Sequence, residues 1–98
     1  MTFKLLFTEE ASKNLDEIEE DAGLAKRLKA ARKALGYLET TPRHPGLHTH
    51  KFNSLAGPSG EEVFEAYAES KTAAAYRIFW FFGPGKKEIT IVAITPHP

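Results

Sequence analysis

Cysteine is absent from the chain, which excludes disulfide bridges, thiolate chemistry and cysteine-based zinc sites. Long apolar runs are absent too, so nothing in the sequence is built to span a bilayer as a helix. The opening stretch Met1-Thr2-Phe3-Lys4-Leu5-Leu6-Phe7 gives way at once to Thr8-Glu9-Glu10. It is too short for a signal peptide and lacks a small-residue cleavage site, so it reads as a strand. These absences set the expectation of a cytoplasmic protein with no membrane partner. A charge surplus is also missing. Thirteen basic residues balance thirteen acidic ones, which argues against a chain-wide electrostatic grip on nucleic acid. Repeats, low-complexity tracts and linkers do not occur, and 98 residues allow one domain, 1–98, with one core.

What is present is ordered by hydrophobic period. Phe3, Leu5 and Phe7 alternate with Lys4 and Leu6, as a first strand would. Thr8 is a good helix N-cap, and Glu9 and Glu10 follow where the helix dipole favours negative charge. Ala11, Leu15, Ile18 and Ala22 make one apolar stripe on a helix from about residue 9 to 21, ended by Gly23. A second helix starts near Leu24 and carries Leu24, Leu28, Ala31, Leu35 and Leu38 on one side. Gly36 lowers its helix propensity and suggests close packing at that point. Pro42 stops it, because Thr41 before a proline is pushed out of the helical region. The short connection makes the two helices antiparallel neighbours.

Residues 42–60 are rich in glycine and proline and read as loop, with a short extended piece at His50-Lys51-Phe52. Three strands follow, at 61–69, 74–82 and 88–95, with a loop at 70–73 and a Gly83-Pro84-Gly85-Lys86 turn. The last strand is apolar on both sides, which suits a central position. The fold class is therefore α+β: β-α-α-β-β-β, a helical hairpin packed on one face of a small, mostly antiparallel four-stranded sheet. The hairpin can cover only one side. Phe64, Ala66, Ile78 and Trp80 are assigned to that side, and Glu65, Tyr67, Arg77, Phe79 and Phe81 to the other. That second surface is half polar and half aromatic, with nothing evident left to cover it, and so reads as a surface for a partner, ligand or substrate.

Charge is unevenly spread. Residues 1–21 carry −5, residues 24–51 carry +6 and residues 52–98 carry −1. The plainer reading is an acidic helix lying against a basic one; the sharper is a basic patch for RNA or an acidic partner.

The ordered set of motifs resembles the RelE/ParE toxin superfamily over nearly the whole chain. Phe7-Thr8-Glu9-Glu10-Ala11 is similar to the family's strand end and helix start. Lys51-Phe52-Asn53-Ser54-Leu55-Ala56-Gly57 is similar to the loop leading into the second strand. Tyr76-Arg77-Ile78-Phe79-Trp80 resembles the Tyr-Arg-hydrophobic-hydrophobic-aromatic strand, and residues 89–94 followed by Thr95-Pro96-His97 resemble the last strand and the histidine just beyond it. The resemblance implies a toxin neutralised by a small cognate antitoxin. Its target would be messenger RNA, commonly on the ribosome, or DNA gyrase. It implies RNA cleavage without a metal or other cofactor: a base takes the ribose 2′-hydroxyl proton, cations hold the phosphate and an acid protonates the leaving 5′-oxygen. It makes Arg77 the phosphate-binding arginine and His97 a catalytic acid or base. Where RelE-like nucleases often place lysines, the strand before Tyr76 carries Glu62, Glu65 and Glu69. Three outcomes stay open: a nuclease with a glutamate or histidine base, a ParE-like protein-binding module, or an orphan member without toxicity. A homodimer is a further expectation.

Each candidate also has a plainer reading. Arg77 is a phosphate clamp or a cross-strand ion pair with Glu65. His97 is an acid or base or a frayed terminal residue. Glu65 is an alternative base or a solvated strand carboxylate. Lys51 and His50 offer a cation and a donor for RNA from a loop that also holds His44 and His48, and that loop lacks a recognised metal motif. Tyr67, Phe79 and Phe81 stack on bases or serve as packing.

Overall fold

The computed structural model describes residues 2–69 and 75–96. Its elements run β1 (Lys4–Phe7), α1 (Glu9–Glu20), α2 (Ala25–Thr40), β2 (His50–Ala56), β3 (Glu62–Tyr67), β4 (Tyr76–Phe82) and β5 (Glu88–Pro96), with single 3-10 turns at Ala22–Leu24 and Pro45–Leu47. The expected class and element order hold, with one correction. Among the described residues the sheet has five strands, not four, in the order β1-β5-β4-β3-β2. The extended piece expected at residues 50–52 grows into a seven-residue edge strand paired antiparallel with β3. Asn53, Ser54 and Ala56 are weak strand formers, and nearly all of β2 is exposed, so no apolar alternation announces it. The loop expected at 70–73 lies outside the described residues.

β5 is an interior strand, parallel to the edge strand β1 and antiparallel to β4. Its register against β4 shifts between Phe79 and Trp80, which pair with Ala93 and Ile91. This places a bulge at Val92. The bulge lets Ile89, Ile91 and Ile94 all reach the core although their spacing breaks the two-residue period. α1 closes over the disturbance. The Thr8 hydroxyl donates to the Val92 carbonyl at 2.8 Å and accepts from the Ala11 amide at 3.0 Å, so the expected cap also ties helix to sheet. The Asn14 side-chain oxygen accepts from the Ile94 amide at 2.9 Å. Backbone groups that a bulge would leave unpaired are thus met by side chains of one helix.

The core lies between this hairpin and the sheet. Ala11, Ile18, Leu35, Leu38, Ala66, Ile78, Trp80, Ile89, Ile91 and Ile94 are buried together, with Phe64 packed at the margin. The assignment of Phe64, Ala66, Ile78 and Trp80 to the helix-covered side is therefore correct. Burying each large aliphatic side chain contributes about 1.5–3 kcal/mol. Arg32 and Glu19 join the two helices at 2.7 Å, as the plainer reading of the charge pattern expects. Gly36 does not serve close packing: it is exposed, and a Cβ there would meet nothing within 4 Å. Among the described residues no helix is long and apolar enough to cross a membrane.

Candidate functional site

The face of the sheet turned away from the helices is not open. Glu65 is 7% exposed, Arg77 9% and Phe81 5%, which corrects the expectation of an uncovered surface. Part of the cover comes from β2. Register sets His50 opposite Glu65, so both side chains emerge on the same side of the sheet. Phe52, two residues on, packs edge-on against Phe79 with ring centroids 4.8 Å apart. Tyr67 lies opposite Arg77 in the β3–β4 ladder and stacks over its guanidinium, Cζ standing 3.8 Å from the ring centroid.

A connected polar cluster results. His50 Nε2 lies 2.7 Å from Glu65 Oε1. The other oxygen of Glu65 is 3.7 Å from Arg77 Nε, close enough for charge attraction but too long for a hydrogen bond. Arg77 Nη1 donates to the carbonyls of Glu69 and Ala75 at 3.2 and 3.3 Å. Arg77 Nε is buried without a hydrogen-bond partner among the described residues. The ring of Tyr67 also meets the imidazoles of His48 and His50.

The chemistry of the cluster turns on His50. Its second nitrogen, Nδ1, faces the His48 carbonyl at 3.1 Å. A carboxylate and a carbonyl are both acceptors, so only the doubly protonated ring donates in both directions at once. The side chain is 48% exposed while that of Glu65 is 10% exposed. The reachable group is the histidine, and the glutamate behind it fixes its orientation.

Four of the residues singled out from sequence therefore come together: Arg77, Glu65, His50 and Tyr67. Lys51 does not join them. Successive strand residues point to opposite faces, and Lys51 sits opposite Phe64, where its ammonium lies 3.4 Å from Glu62. His97 lies outside the described residues. Sequence reasoning placed His48 in the polar loop but did not give its contact with His50: its left-handed backbone (φ 48°) turns its carbonyl toward that ring. The two-residue spacing of His48 and His50 was the available signal. Nor did it single out Glu69, whose carboxylate accepts from the Tyr76 amide and pairs with Arg27, each at 3.3 Å. No group of three or more metal-ligating side chains is found among the described residues.

Sequence comparison finds no matching family model and no matching curated protein. Solved structures do match. The YoeB/ParE toxin of Agrobacterium tumefaciens superposes with a TM-score of 0.71 at 10% identity, covering 97% of this chain and 99% of that one. The RelE chain type seen in the archaeal RelE–RelB complex of Pyrococcus horikoshii gives 0.66 at 18% identity, with 98% and 96% covered. The Staphylococcus aureus YoeB dimer gives 0.65 at 13% identity, with both chains fully covered at 100%. With nearly complete coverage in both directions, the chain has the RelE/ParE toxin fold.

Proposed function

We propose that the chain is the toxin of a toxin–antitoxin pair and that it cuts single-stranded RNA by acid–base chemistry, with His50 as the reacting side chain. One observation carries this reading: a half-exposed imidazole is held at 2.7 Å by a buried carboxylate that in turn lies beside a buried guanidinium. In the reaction the ribose 2′-hydroxyl gives its proton to a base and its oxygen bonds to phosphorus. The bond from phosphorus to the 5′-oxygen breaks, and that oxygen takes a proton from an acid. The products are a 2′,3′-cyclic phosphate and a 5′-hydroxyl. The doubly protonated His50 is the acid, trading its contact with the His48 carbonyl for the leaving oxygen. His97, which the family resemblance makes an acid or a base, is then the proposed base.

Glu65 acts through His50, because its own carboxylate is buried and bonded. Arg77 is a positioning residue: its charge stabilises the ionised Glu65, and its Nη1 is committed to two carbonyls. Lys51 meets the phosphate backbone from the other side of β2. By likeness to the RelE–RelB complex and the YoeB dimer, a cognate antitoxin is the proposed protein partner and a homodimer the proposed assembly.

The commitment of Arg77 to contacts within the chain supports a second reading, a non-catalytic module that inhibits a target such as gyrase through its surface. Expression in a bacterial host separates the two. Growth arrest with loss of translation, relieved by His50→Ala, is expected of the nuclease. Arrest with a DNA-damage response that survives His50→Ala would sink the nuclease reading and favour the module.

A further inference from the structure

On the opposite side of β2 and β3 from the His50–Glu65 pair lies an open groove of about 510 Å³, between residues 42–51 and the strands β3 and β4. Its volume falls within the range of about 300–1,000 Å³ typical of small-ligand sites. One wall is aromatic, made by Phe64, Trp80 and Phe82, and the Phe82 ring is 40% exposed. The rim carries Arg43 and Lys51, with His44, His48 and His50 along the same segment. No carboxylate belongs to the described residues that line it. The groove is thus apolar on one side and cationic on the other.

Two polar atoms in its lining residues are unusual. The Trp80 indole Nε1 and the Thr49 hydroxyl are buried and have no hydrogen-bond partner among the described residues. Native proteins leave few such groups, and both here belong to one concavity. An indole N–H only donates, and a hydroxyl donates or accepts, so an occupant must bring acceptors. Position supplies the last constraint. His50 borders the groove as well as bonding Glu65, so a chain crossing β2 at His50 enters the groove directly.

We infer that this groove binds one nucleotide of single-stranded RNA next to the cleavage point. The base stacks on the exposed Phe82 ring, its carbonyl oxygens lie toward the Trp80 and Thr49 donors, and its phosphate meets Arg43 and Lys51. An acidic peptide would satisfy the rim but would not use an exposed aromatic ring together with two unpaired donors. The inference rests on the RNA reading above for its ligand class, and on the groove alone for its location.

Trp80 is the only tryptophan in the chain, so its fluorescence reports on the groove without labelling. The probe is a 2′-O-methyl RNA oligomer, which lacks the attacking hydroxyl and stays intact. Saturable quenching is expected. Arg43→Ala should weaken binding about tenfold through the lost phosphate contact. Thr49→Val should weaken it about fivefold through the lost hydrogen bond. Lys13→Ala, which removes an exposed cation of α1 that does not line the groove, should stay within about twofold of the parent. Absence of quenching, indifference to both groove substitutions, or tighter Arg43-dependent binding of an acidic peptide would overturn the inference. Quenching by the probe without cleavage of the unmodified oligomer would retire the nuclease reading and keep the groove; cleavage without quenching would do the reverse.

Discussion

The two faces of this sheet are closed by different chemistry. Under the helices, Ile78, Ile89, Ile91 and Ile94 meet Leu35, Leu38 and Ile18, and the face is sealed mainly by apolar area. Across the sheet the closing contacts include charged and aromatic groups: Arg77 under Tyr67, Glu65 bonded to His50, Phe79 against Phe52. The first arrangement tolerates any side chain of similar volume, since hydrophobic burial is not directional. The second depends on particular partners, because a buried charge that loses its counterpart has no water to replace it. A small domain that uses both has a robust side for folding and a demanding side on which a reacting group is held in one orientation.

That contrast can be broken on either face. Ile78→Ala should cost the most, about 4 kcal/mol in urea denaturation, because Ile78 is fully buried and alanine leaves a cavity in the core. Arg77→Ala should cost about 3 kcal/mol by the same measurement, since it leaves the buried Glu65 carboxylate with His50 but without its guanidinium. The paired change Arg77→Met with Glu65→Leu should return to within about 1 kcal/mol of the parent, which a simple loss of packing would not do. An Arg77→Ala cost near that of an exposed ion pair would mean the far face is ordinary solvated surface. The smallest effect is on the helical side. Gly36→Ala should stabilise by about 0.5–1 kcal/mol, because the position is exposed and open and alanine is the better helix former.

Legibility in the sequence followed the same division. The apolar stripes of α1 and α2, the Thr8 cap, the stop at Pro42 and the alternation of β3 and β4 are local signals, and each appears in the fold within a few residues of its expected position. β2 was readable only as a fragment because its residues are exposed and its pairing with β3 is irregular. The closure of the far face depends on that pairing, so it was hidden too. Arg77 and Glu65 could be named as partners from their places on adjacent strands, but not their burial. His50 could be named as polar loop chemistry, but only the ladder sets it opposite Glu65. The same ladder separates Lys51 from His50 although they are neighbours in the chain. The bulge at Val92, which re-phases β5, has no signature in a strand that is apolar on both sides.

The account depends most on His50 being the group that moves a proton. The direct measurement is cleavage of a defined single-stranded RNA by the purified protein in excess EDTA, parent beside His50→Ala, with the product ends identified by mass spectrometry. The account predicts a 2′,3′-cyclic phosphate from the parent and a rate lowered about 100-fold or more in the variant, with folding intact. Equal rates for the two proteins, or no cleavage by the parent, would contradict it.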